Sequence, residues 1–109
     1  MEQVGFKRSE IFSANKSVEI ADGAVVSKIV IKNPSGNVTL FAFDKGQFLS
    51  EHSAPFDALI QIIEGEAKVT INKVDYNLKT GESIIMPANI PHAVFAISPF
   101  KMQLIMIKG

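Results

Sequence analysis

An all-β domain, built as a sandwich or barrel, is predicted by three features of the sequence. These are the rhythm of its turn residues, the length of the segments between them and the absence of a helical stripe. Turn signals stand at Asp22-Gly23, Asn33 to Gly36, Asp44 to Gly46, Ala54-Pro55, Glu64-Gly65, Asn72-Lys73, Thr80-Gly81, Pro87 to Pro91 and Ser98-Pro99. The segments between them are mostly 5–8 residues long and rich in Val, Ile, Phe and Leu. Short apolar runs punctuated this regularly are strands joined by tight turns. No segment of helical length repeats apolar residues at roughly 3.6-residue spacing.

The elements follow in chain order. Residues 1–24 read as an N-terminal arm or strand, and within them Ser9 to Ile20 admits a helical turn. Val38 to Phe43 and Leu59 to Ile63 are apolar on both faces, as expected where two sheets stack and the outer face meets another strand or subunit. In Glu66 to Asn72, by contrast, Ala67, Val69 and Ile71 alternate with Glu66, Lys68, Thr70 and Asn72, so one face is buried and the other wet. Phe100 to Ile107 alternates at its start and becomes apolar at its end. Eight to ten antiparallel strands in a single domain over residues 1–109 are expected.

Composition narrows the function. A chain of 109 residues makes one core. Eleven Lys plus Arg balance eleven Asp plus Glu, and no charge run exceeds Lys7-Arg8. That argues against a nucleic-acid partner and against a polybasic membrane contact. Without cysteine there is no disulfide, thiol nucleophile or thiolate metal site. His52 and His92 are the only imidazoles, so metal or proton chemistry near neutral pH must use one or both. Met1 to Glu10 holds no apolar stretch of signal-peptide length, which makes a cytoplasmic location the expectation. The mean hydropathy of +0.21 is high for a small monomer and points to a second copy of the chain covering part of the surface.

Two stretches carry the informative residues. Gly46-Gln-Phe-Leu-Ser-Glu-His52-Ser-Ala54-Pro-Phe-Asp-Ala58, continuing to Gly65, resembles the first motif of the cupin superfamily. That motif runs Gly, five residues, His-x-His, three or four residues, Glu, six residues, Gly. Gly46, His52 and Gly65 are in register, while Ala54 takes the second His position and Ala58 the Glu position. Gly81-Glu-Ser-Ile-Ile-Met-Pro87-Ala-Asn89-Ile-Pro-His92, continuing to Ala96, resembles the second motif: Gly, five residues, Pro-x-Gly, two residues, His, three residues, Asn. Here Gly81, Pro87 and His92 match. Asn89 stands in for the loop Gly, and Ala96 for the final Asn. Asn tolerates left-handed backbone angles better than most residues. The resemblance implies a double-stranded β-helix, a jelly-roll barrel of two facing antiparallel sheets. It also implies a homodimer, in keeping with the two-sided apolar strands.

The metal site that the resemblance implies takes three His and one Glu. Carried over residue by residue, it leaves His52 and His92 as metal ligands and loses the rest to Ala54 and Ala58. A catalytic site with three protein ligands and an open position is not met. Asp57 and Gln61 fall on the opposite strand face by alternation, although a bulge or turn at Pro55-Phe56 could re-aim Asp57. No cofactor therefore follows from the residues, although the family pattern allows a divalent transition metal. Exchanging His and Glu for Ala is expected to leave a roomier, more apolar cavity lined by His52, Ala54, Ala58, Ile60, His92 and Val94, suited to a small-molecule ligand. The alternative is a metal-dependent oxygenase or isomerase using His52, His92 and an unidentified third ligand. A metal-free acid–base enzyme with His52 as base lacks a visible acid partner. Phe41, Phe43, Phe48, Phe56, Phe95 and Phe100 read as core or interface, and Met86, Met102 and Met106 as gap-fillers.

Overall fold

Alternation along nine strands sorts the apolar side chains onto the facing surfaces of two antiparallel sheets. The computed structural model describes residues 4–109, so the first three residues of the N-terminal arm lie outside it. The strands are β1 (Val25–Asn33), β2 (Gly36–Phe43), β3 (Phe48–His52), β4 (Asp57–Glu64), β5 (Glu66–Ile71), β6 (Val74–Lys79), β7 (Ser83–Met86), β8 (His92–Ala96) and β9 (Phe100–Ile107). One sheet has five strands in the order β1-β2-β9-β4-β7 and the other four in the order β3-β8-β5-β6. The architecture is the double-stranded β-helix expected from the sequence.

The core lies between the sheets. Ala58, Ile60 and Ile62 of β4 and Phe100 and Met102 of β9 meet Ala67, Val69 and Ile71 of β5 and Val94 and Ala96 of β8. Phe43 and Phe100 are cross-strand partners. Their rings stack with centroids 4.5 Å apart and close one end of the barrel. Each fully buried ring contributes about 1.5–3 kcal/mol.

The second apolar face of β2 has a cover supplied by the chain itself. Leu40 and Ala42 pack with Val18 and Val30, and Phe6, Ala14 and Ile20 lie against them. The N-terminal segment reaches this position through one antiparallel bridge, Gly5 to Ile31. A short helical turn follows at Ala14–Ser17, capped by Ser13, whose Oγ accepts from the Lys16 N–H. Lys101 Nζ then donates to the Asn15 carbonyl at 2.7 Å and to its Oδ1 at 2.9 Å, tying the turn to β9. The segment is an arm rather than a tenth strand.

Further along the same outer surface the apolar residues are less covered. Ile31, Val38, Ile105, Leu59 and Ile85 are successive cross-strand partners from β1 through β2, β9 and β4 to β7. Ile85 at the edge is 61% exposed. A row of this kind across a whole sheet is an association surface more often than a solvated one. We expect light scattering to give a mass near twice 11.9 kDa. Ile85→Asp should return the chain to monomer at micromolar concentration, because a carboxylate cannot be buried unpaired in an apolar interface.

Candidate functional site

His52 reaches the barrel interior through a bulge. On β3, Phe48 faces outward and Leu49 packs against the core. Strict alternation would then send Glu51 inward and His52 outward. The pairing with β8 instead jumps from Leu49↔Val94 to His52↔His92, which places one extra residue on β3. A bulge re-aims the side chains that follow it. His52 thereby shares the face of Leu49, with its ring beside that of His92.

His92 is placed by the loop before it. Pro87 and Pro91 lack N–H groups and keep the loop out of the sheet. Asn89 adopts φ 66°, the left-handed conformation expected at this position. Its N–H donates to the Ala54 carbonyl at 2.7 Å, tying the two histidine-bearing stretches together. Asp57 points away from the barrel, and its Oδ1 accepts from the Ala88 N–H at 2.8 Å. It pins the same loop from outside and is no substitute for a carboxylate at Ala58. Gln61 is likewise exposed on the outer face.

The two rings meet edge to face, with centroids 4.5 Å apart and planes at 71°. His52 Nδ1 lies 2.8 Å from the Ser50 carbonyl and His92 Nδ1 3.2 Å from the Ile90 carbonyl. A carbonyl only accepts, so both Nδ1 atoms carry the proton and donate it. In the neutral rings each Nε2 then keeps its lone pair.

All six residues expected around a cavity, His52, Ala54, Ala58, Ile60, His92 and Val94, line a single one. Its room for the centre of a water-sized sphere is only about 50 Å³, so the expected roominess is not found. The reason is visible in the strand register. Ala58 is flanked across the sheet by Met86 on β7 and Met106 on β9, and both side chains line the cavity beside it. Met102, Leu104, Leu49 and Phe56 complete the wall. Sequence reasoning missed these residues as lining. The alternation of Met102, Leu104 and Met106 put them on one face, but nothing in it showed that this face adjoins the histidines.

This geometry has counterparts. Residues 39–108 match the family profile of the cupin domain. The chain belongs to the cupin family. A conserved protein of unknown function from Streptococcus pyogenes is 32% identical to this cupin, covers all of it and 96% of its own length, and superposes with a TM-score of 0.92. A cupin 2 conserved barrel domain protein from Leptotrichia buccalis is 41% identical over 89% of this chain and 47% of its own, with a TM-score of 0.86. This cupin therefore spans about half the length of that relative. A cupin superfamily protein from Desulfitobacterium hafniense, 23% identical over the full length of both chains, shares the fold with a TM-score of 0.90. No curated protein matches the sequence.

In this cupin the residues present do not fit the divalent-metal site of the family pattern. The two histidines offer Nε2 atoms with their Nδ1–H groups fixed on carbonyls, as metal-bound imidazoles usually have them. The remaining positions are Ala54 and Ala58. Among the described residues no group of three His, Cys, Asp or Glu stands together.

Burial disfavours a charge on His92. Burial holds the His92 pKa below the ordinary value of 6.5, with repulsion from His52 acting in the same direction and the bond to Ile90 opposing both. Its folded-state pKa is lower than in the unfolded chain. The stability that neutral His92 contributes is therefore complete above 6.5 and is lost as pH falls through the folded value. We expect denaturant unfolding to show this loss in the parent and not in His92→Phe. An imidazole NMR titration of the folded protein should place the His92 midpoint below 6.5.

Proposed function

We propose that this cupin is a binding domain for a small, partly apolar molecule, acting in the cytoplasm as a homodimer. The observation that carries the reading is the pairing, in one apolar cavity, of two imidazoles whose Nδ1–H groups are held by backbone carbonyls, so that in the neutral rings Nε2 is the acceptor left for a guest. The matching guest has an apolar body and an O–H or N–H donor. The wall has one adaptable part. Methionine has three rotatable bonds and repacks at low cost, so Met86, Met102 and Met106 can yield space that Leu or Ile could not. Catalysis by a metal-dependent route of the family's kind has less support, because among the described residues no third His, Cys, Asp or Glu stands with the two histidines.

The reading is tested by thermal unfolding in the presence of matched pairs of small alcohols or phenols and their methyl ethers. Alcohols should raise the unfolding temperature, by about 2.7 kcal/mol of added stability at 100 times the dissociation constant. The ethers, which lack a donor, should do so much less. Ala58→Leu fills the cavity and should abolish the shift while leaving the fold, at a cost of about 1–3 kcal/mol from overpacking. A panel in which no alcohol stabilises the parent, or in which ethers match alcohols, would sink the proposal.

A further inference from the structure

Every methionine of the described chain lines the cavity that holds both of its histidines. The five-stranded sheet supplies Met86, Met102 and Met106, and the four-stranded sheet supplies His52 and His92. Met86 and Met102 are buried, Met106 is half-buried, and His52 at the mouth is exposed, which leaves an entry path. No carboxylate is among the lining residues.

We infer that this cavity is a site for a soft monovalent cation, Cu(I), held by His52 and His92 Nε2 from one sheet and by methionine thioether sulfur from the other. Three properties of the cavity select that ion. Thioether is a soft ligand that selects Cu(I), and imidazole suits copper as well, whereas manganese, magnesium and calcium favour carboxylate and carbonyl oxygens. The donor set is neutral. The cost of desolvating an ion rises with the square of its charge, so an apolar site without a counter-charge favours a single positive charge over two. The cavity leaves about 50 Å³ for the centre of a water-sized sphere, which is room for a single ion beside the donors. The Ala exchanges at 54 and 58 thus change the metal the barrel selects, from a divalent ion held by imidazoles and a carboxylate to a soft monovalent one. This inference does not rest on the guest reading, and it is tested on guest-free protein.

The experiment is a Cu(I) competition against bicinchoninate under ascorbate and nitrogen. The parent should withdraw one Cu(I) per chain. Met86→Leu/Met102→Leu/Met106→Leu, which conserves volume, should bind at least about tenfold more weakly, a difference of about 1.4 kcal/mol that the competition resolves. If the triple variant does not fold, Met106→Leu alone carries the comparison. Ag(I), a redox-inert stand-in, should shift the ε-methyl NMR signals of Met86, Met102 and Met106 in the parent. Zn(II) in a parallel competition should bind more weakly than Cu(I). The assignment is overturned if the parent takes no Cu(I), if the leucine variant binds it as tightly, if Ag(I) leaves the three methyl signals in place, or if Zn(II) binds more tightly.

Discussion

Gly65→Ala should be among the most damaging single substitutions in the molecule, lowering stability by about 2–5 kcal/mol. Gly65 joins β4 to β5 at φ 92°, a backbone conformation that L-residues rarely adopt. A Cβ there would overlap the Pro99 carbonyl oxygen and stand 2.7 Å from the Phe100 Cβ. Neither neighbour can retreat. Phe100 is fully buried and stacked on Phe43, and the Pro99 carbonyl is joined directly to it at the start of β9. Gly81→Ala is the control. It has a similar φ of 87° but nothing within 4 Å of the added carbon, so only the backbone term of about 1–2 kcal/mol applies. At about 4–8 °C per kcal/mol, thermal unfolding separates the two variants. Equal losses would mean that packing against Pro99 and Phe100 contributes nothing.

Both glycines were legible from the sequence as strand junctions, and the close approach at Gly65 was not. The same division runs through the molecule. Period-two patterning in Glu66 to Asn72 is enough to place Ala67, Val69 and Ile71 in the core, because alternation is a local property of the chain. The sequence leaves a helical turn between Ser9 and Ile20 open, and it forms at Ala14–Ser17. What covers the outer face of β2 was not local. Leu40 and Ala42 announce that something apolar lies over them, but only the tertiary path of the arm shows that Val18 and Phe6 do so.

The site divides in the same way. Spacing put His52 and His92 in register with two motifs, and the barrel brings them into edge contact. Alternation alone would have sent His52 to solvent, since the extra residue on β3 is a pairing feature that one strand's sequence does not display. The exchange of Glu for Ala at position 58 suggested an empty space. Met86 and Met106 narrow it as the cross-strand neighbours of Ala58, and that placement follows from a sheet order in which β4 lies between β7 and β9. Strand order is a global property, and short motifs do not encode it.

The double substitution Ala54→His plus Ala58→Glu should convert the cavity into a tight Zn(II) site. Both positions already line the wall that His52 and His92 face, so the new imidazole and carboxylate would complete a three-His, one-carboxylate set. The metal-free variant must hold a carboxylate between Met86 and Met106 without a counter-charge, at a cost of about 3–5 kcal/mol, which it can reduce by taking up a proton. Zinc removes that penalty by supplying the charge. At 100 times its dissociation constant it should add about 2.7 kcal/mol to the variant. Denaturant unfolding with Zn(II) and with a chelator therefore gives two widely separated midpoints for the variant and nearly coincident ones for the parent. Ala58→Glu alone should show the destabilisation with less of the rescue, because it lacks the third imidazole. A parent that zinc stabilises as strongly as the double variant would mean that His52 and His92 already recruit a third ligand, and that Ala54 and Ala58 are not what disarms the site.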